Sequence, residues 1–150
     1  GFGRFAASAA YGTLAATDEI IAADKMAEFG SVGAVITLDK AFLEFYAENF
    51  LTFYGEDATN KNAEWRAAVS GNFGPMQERA NEATRKFQQQ VSKQRPISGS
   101  EAYQRTTLSG AMFDAVEARR RGLVDGIGTM NYAVARAMAW MQKGKKKKAA

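Results

Sequence analysis

The chain reads as an α/β protein, because short β-branched or apolar runs alternate with longer stretches of helical periodicity. Val32 to Thr37 is a Val/Ile-rich run lying just after Gly30 and Gly33, and Leu123 to Ile127 is a short apolar run closing on a turn. Between such runs stand segments with apolar residues at helical spacing, the longest from Pro75 to about Arg95. Strands alternating with helices in this way argue for a layered fold built from crossover units. At 150 residues, 46% hydrophobic and with only two prolines, the chain suits one domain with a sizeable core.

Taken in order, Ser8 to Thr17 is rich in alanine and predicts a helix starting at or next to the serine. Glu19 to Ala22 predicts a short buried strand, and Val32 to Thr37 a second. Asp39 is a good N-cap for a helix from Lys40 to Asn49, whose Phe42, Leu43, Phe45 and Tyr46 make a broad apolar face. Phe50 to Tyr54 predicts a third strand, in one sheet with Val32 to Thr37. Gly55 to Gly74 is polar and without clear period, so it predicts a loop, and a loop of that length is usually functional or mobile. Pro75 fits the first turn of the long helix, with Met76, Ala80, Ala83, Phe87 and Val91 on its buried stripe. Ser98 to Glu101 starts a short helix, Met112 to Arg121 predicts another, and Gly122 is its stop. Met130 to about Gln142 forms the last. Residues 1–142 make the domain and 143–150 a disordered lysine-rich tail.

That tail accounts for the charge. Lys143 and Lys145 to Lys148 supply five of the 20 basic residues, and removing them leaves 15 against 16 acidic. The body is near neutral. The tail is either solvated or a phosphate contact for nucleic acid; with no interleaved aromatic residues to stack on bases, the solvated reading is favoured and no nucleic-acid partner is expected.

Cysteine and histidine are both absent. Their absence excludes disulfides, zinc fingers, thiol nucleophiles and any Ser-His-Asp arrangement within the chain. No Asp-rich metal loop is present, and neither metal nor cofactor is expected. No run approaches the roughly 20 apolar residues that span a bilayer. Any hydrolytic base would be Lys, Glu, Asp or a terminal amine.

Ser8, set in Ala6-Ala-Ser8-Ala-Ala-Tyr11, is either a small residue at a close approach or a nucleophile whose neighbours are small enough to admit a carbonyl. Asp18 reads as a turn or cap residue and Asp125 as a strand-end residue. Together with Ala16-Thr-Asp-Glu-Ile20, Gly30-Ser-Val-Gly33, Phe87-Gln-Gln-Gln-Val-Ser-Lys-Gln-Arg95, Ala115 and Arg121-Gly-Leu-Val-Asp125, the order of motifs from about Phe5 to about Ala137 resembles the signal peptide peptidase A family. Within it, Ser8-Ala-Ala resembles the phage head maturation proteases, where cellular members have Ser-Gly-Gly.

The resemblance implies a ClpP/crotonase-like layered fold and a serine endopeptidase using a serine–lysine dyad. Ser8 would be the nucleophile and Ala9 an oxyanion donor through its backbone N–H. Lys61, in the loop after Gly55-Glu-Asp-Ala-Thr-Asn60, would be the base, although it falls a few residues further from the glycine than the family pattern has it. Read alone, Lys61 is an exposed ammonium, and lysine must be desolvated to accept a proton near neutrality because it normally titrates near 10.4. Lys25 and Lys40 are competing bases, Lys40 reading as helix surface. Ser31 is a candidate to orient the lysine, or simply a strand-entry turn.

Family members also carry core strands and a glycine-rich turn before the nucleophile, the turn supplying a second oxyanion donor. This chain begins seven residues before Ser8, so the expectation is the C-terminal portion of the domain, with the N-terminal part missing and one side of the site open. The implied substrate is scaffold or capsid protein, or signal peptides for a cellular member. The implied location is the host cytoplasm or prohead interior, or a membrane if a preceding segment holds an anchor. A homo-oligomer is expected. A catalytically incomplete structural or assembly module is the rival reading.

Overall fold

The computed structural model describes residues 1–148, with side chains through residue 142. The chain forms two compact units, one made of Gly1–Gly33 and the chain from Phe87 onward, the other of Ala34–Lys86.

The first unit holds two small sheets. In one, β1 (Phe2–Gly3), β3 (Ile21–Ala22) and β6 (Gly126–Ile127) run parallel, in the order β1-β3-β6. In the other, β2 (Phe5–Ala7) lies parallel to β4 (Glu28–Gly30), which pairs antiparallel with β5 (Met112–Asp114). Parallel neighbours require a crossover, and α1 (Ala9–Ala15) lies in the connection from β2 back towards β4. Ile20, Phe29, Val32 and Leu123 are fully buried between these elements, with Val91 of the long helix α4 (Gly74–Gln94) and Ala115 and Ala118 of α6 (Ala115–Arg120). The mixed α/β architecture with parallel sheets agrees with the fold class read from the sequence.

The single helix expected over Met112 to Arg121 is instead a strand and a helix. Met112–Asp114 pair with Gly30–Glu28, and Asp114 then caps α6 by accepting from the Glu117 N–H at 2.9 Å. A sheet edge from a distant part of the chain overrides the local helical pattern. The short helix begun near Ser98 is α5 (Glu101–Thr107), with Ser100 as its N-cap. The last helix, α7, spans Met130–Lys148. The expected disordered tail falls on 143–148, whose side chains lie outside the described residues, and on 149–150, which lie outside them altogether.

In the second unit α2 (Lys40–Asn49) is capped by Asp39, whose side chain accepts from the Phe42 N–H at 3.1 Å. Its aromatic face meets α3 (Ala63–Val69): Tyr46 stands edge-on to Trp65 at 5.6 Å and stacks on Phe50 at 4.9 Å. The expected loop from Gly55 to Gly74 therefore contains a helix. The two strands expected at Val32 to Thr37 and Phe50 to Tyr54 do not form, and neither segment belongs to a sheet. β-branched and aromatic residues stabilise a strand only against a neighbouring strand, and these segments have no ladder partner among the described residues.

Candidate active site

β2 enters Ser8 and α1 leaves it, so the serine occupies a strand-to-helix turn one residue long. Its backbone has φ 54 and ψ −128, a conformation that non-glycine residues rarely adopt and that costs about 1–3 kcal/mol. An ordinary N-cap has extended dihedrals and uses its side chain to satisfy the first helical amides. Asp39, Ser100 and Asp114 do this for their helices, at φ −80, −64 and −60. Ser8 does not: its hydroxyl makes no capping bond, and the side chain is exposed. Strain combined with an unused hydroxyl is what a presented nucleophile requires. A serine serving only as a small spacer needs neither.

The strain is held from both sides. The Ser8 N–H donates to the Gly30 carbonyl at 3.0 Å, extending the β2–β4 ladder by one bond, and the Ser8 carbonyl accepts from the Gly12 N–H at 3.0 Å. With the Ser8 amide used in this way, the next free donor is the N–H of Ala9, the first residue of α1, which has no acceptor among the described residues. It lies at the positive end of the helix.

The register Ala7↔Gly30 puts Ser31 beside Ser8, each just beyond the carboxyl end of its strand. Ser31 also has a positive φ, 55, and its N–H donates to Ala111 O at 2.8 Å. Gly30 makes that corner possible: at φ 139, a Cβ there would fall 2.3 Å from the Ala111 carbonyl oxygen. Crevices beyond the carboxyl ends of parallel strands are where open α/β sheets bind ligands. Ser8, Ala9 and Ser31 are thus brought together within the first unit.

Lys61 belongs to the second unit. Its N–H donates to Ala58 O at 3.1 Å in a tight turn, and Asn62 at φ 53 then leads into α3. The lysine side chain is exposed and makes no ion pair among the described residues. The turn is fixed by Arg66, whose guanidinium bonds the Thr59 carbonyl and lies 4.7 Å from the centre of the Tyr54 ring. Of the competing bases, Lys40 is 86% exposed and pairs with Glu44 at 3.9 Å, as helix surface should. Lys25 is exposed in the turn between β3 and β4. Asp18 is also exposed in a turn.

Asp125, read as a strand-end residue, instead stands directly before β6. Its carboxylate accepts from the Ile20 N–H at 2.7 Å and lies 2.8 Å from Nη2 of Arg95, a side chain only 2% exposed. No local signal marks a pairing thirty residues apart, although an arginine directly before Pro96 and an aspartate closing an apolar run are the two residues to watch. Among the described residues no cluster of three or more acidic side chains is placed to hold a metal ion, and no helix is long and apolar enough to cross a membrane.

A layered α/β unit presenting a strained, exposed serine at a strand-to-helix turn has the local geometry of a nucleophile elbow. Comparison with known families carries this further: residues 56–144 match peptidase family S49. That is more than half of the chain, which belongs to this family and is a peptidase by membership. The matched residues include Lys61, Arg95 and Asp125, while Ser8 and Ser31 precede them. No curated protein matches the chain significantly.

Proposed function

We propose that this chain carries the active serine of an endopeptidase working through a Ser8–Lys61 dyad. The observation that carries the reading is the backbone of Ser8, strained at φ 54 and ψ −128 with its hydroxyl unused by the helix it precedes. In the first step the Ser8 Oγ attacks the peptide carbonyl carbon while Lys61 Nζ takes the hydroxyl proton. The oxyanion so formed faces the Ala9 N–H, and loss of one such donor costs about 2.7–4 kcal/mol of transition-state stabilisation. Collapse breaks the C–N bond, and the lysine returns its proton to the leaving amine. Water, deprotonated by the same lysine, then hydrolyses the acyl-enzyme. Because Lys61 is exposed, bound substrate or a covering segment must desolvate its amine for this role. Ser31, the neighbour of Ser8 in the first unit, is the residue assigned in this reading to hold that amine by its hydroxyl.

The substrate reading is phage scaffold or capsid protein, cleaved within the prohead, and it rests on the likeness of Ser8-Ala-Ala to the head maturation proteases. A homo-oligomer is supported by apolar side chains left at the surface of the second unit, Leu51 at 90% and Phe53 at 88% exposure. Cleavage of a scaffold-protein substrate by the full-length protein tests the reading. Lys61→Ala and Lys61→Arg should each lower turnover by about 10²–10⁴-fold, since guanidinium stays protonated at working pH. The wild-type rate should rise on the alkaline side. A fully active Lys61→Arg protein removes Lys61 from the mechanism and leaves Lys25 and Lys40 to be tested as the base.

A further inference from the structure

Tyr11 stands one helical turn after Ser8 and is fully buried. Its hydroxyl donates to the Leu123 carbonyl at 2.9 Å, across 112 residues of sequence. The acceptor lies in the Gly122–Asp125 segment, which is itself held from two directions. Arg95 Nε donates to the Gly122 carbonyl at 3.3 Å, and Nη2 pairs with Asp125 at 2.8 Å. Asp125 in turn accepts from the Ile20 N–H, and its own N–H donates to Ile20 O at 2.8 Å. Gly122, at φ 82, lets this segment pass against Pro96, whose carbonyl oxygen would lie 2.1 Å from a Cβ.

A strained residue keeps its conformation only where its surroundings over-determine it. On the strand side Ser8 is fixed by the β2–β4 ladder. On the helix side, α1 is short and its N-terminal residue provides no cap, so it needs another anchor. We propose that Tyr11 is the positioning residue for Ser8, the Tyr11–Leu123 hydrogen bond clamping α1 to a segment that the Arg95–Asp125 ion pair holds rigid. This rests on Ser8 being the nucleophile. Freed from Leu123, α1 would shift, Ser8 would relax from φ 54, and its Oγ would swing from the attack position while the peptide-binding surface stayed in place.

The test uses the full-length protein and measures three quantities: the rate of acylation by a fluorophosphonate probe, kcat and KM on a peptide substrate, and thermal stability. Tyr11→Phe deletes one oxygen. It should slow acylation and lower kcat by about ten- to a hundredfold, as a misplacement of order 1 Å does, with KM unchanged. Tyr103→Phe is the control: it deletes a tyrosine hydrogen bond of the same 2.9 Å length, to Glu117, in the same unit. It should lose comparable stability with acylation at the wild-type rate. Equal acylation rates in the two variants overturn the proposal, as does a Tyr11→Phe effect confined to KM. If Tyr11→Phe does not fold, Arg95→Lys, which keeps the charge and loses the bond to Gly122, is read in the same way. Ser8→Ala separates the two ideas: persistent labelling there defeats the nucleophile assignment, whereas labelling abolished in Ser8→Ala but unslowed in Tyr11→Phe defeats the positioning role alone.

Discussion

The two units are alike in apolar content and opposite in what they do with it. The first buries Tyr11, Ile20, Phe29 and Leu123 completely and ties distant segments together by Arg95–Asp125 and Tyr11–Leu123. The second packs aromatic rings of α2 on Trp65 of α3, while Leu51 and Phe53 remain at the surface. The difference is partnership. Two-residue strands persist in the first unit because each has a neighbour in register, and the longer, more β-prone run Phe50 to Tyr54 of the second does not form a strand because it has none among the described residues. The strained backbone of Ser8 is held in the first unit, between the β2–β4 ladder and α1.

The sharpest way to break this comparison is to remove one apolar side chain from each unit. Phe29→Ala should cost about 3–5 kcal/mol in urea denaturation, and Phe53→Ala no more than about 0.5 kcal/mol. Similar losses at the two positions would contradict it. Asp125→Ala comes next. It strands the buried Arg95 guanidinium and should cost about 3 kcal/mol, since breaking one side of a buried pair leaves an uncompensated charge.

A third test uses pH. Burial pushes the Tyr11 phenol well above its ordinary value of 10.0, with the opposing charges of Arg95 and Asp125 facing it. The unfolded chain therefore loses this proton first as pH rises. Tyr11 contributes its full stability below about pH 10, and above it stability should fall by up to about 1.4 kcal/mol per pH unit until the folded protein also ionises. Tyr11→Phe should remove that part of the alkaline slope. An identical slope in the variant would show that the phenol ionises as easily folded as unfolded. The smallest effect on stability is expected from Leu51→Ser with Phe53→Ser. For the homo-oligomer proposed above, light scattering should nevertheless show a shift toward monomer, and an unchanged assembly would exclude these side chains from the proposed contact.

Much of the fold was legible where the signal is local. Asp39 and the apolar face behind it, Pro75 opening a long helix, and Gly122 ending α6 are each written within a few residues. What was not legible depends on partners far away. Phe5–Ala7 is too short and alanine-rich to announce a strand, and exists because Glu28–Gly30 lies beside it. Met112–Asp114 looks helical until it meets the same strand. The site divides in the same way. The small residues around Ser8 pointed to that serine, but its strained backbone follows from β2, β4 and α1 together. Arg95 and Asp125 each close a motif of the family resemblance, but nothing local to either residue announced that the two meet.

The central claim is that Ser8 is the group that attacks. Mass-spectrometric mapping of the fluorophosphonate adduct on the full-length protein tests it most directly. The account predicts one adduct, on the peptide containing Ser8, absent from Ser8→Ala while that variant keeps the wild-type unfolding midpoint. An adduct on any other residue, or undiminished labelling of a folded Ser8→Ala protein, would contradict it.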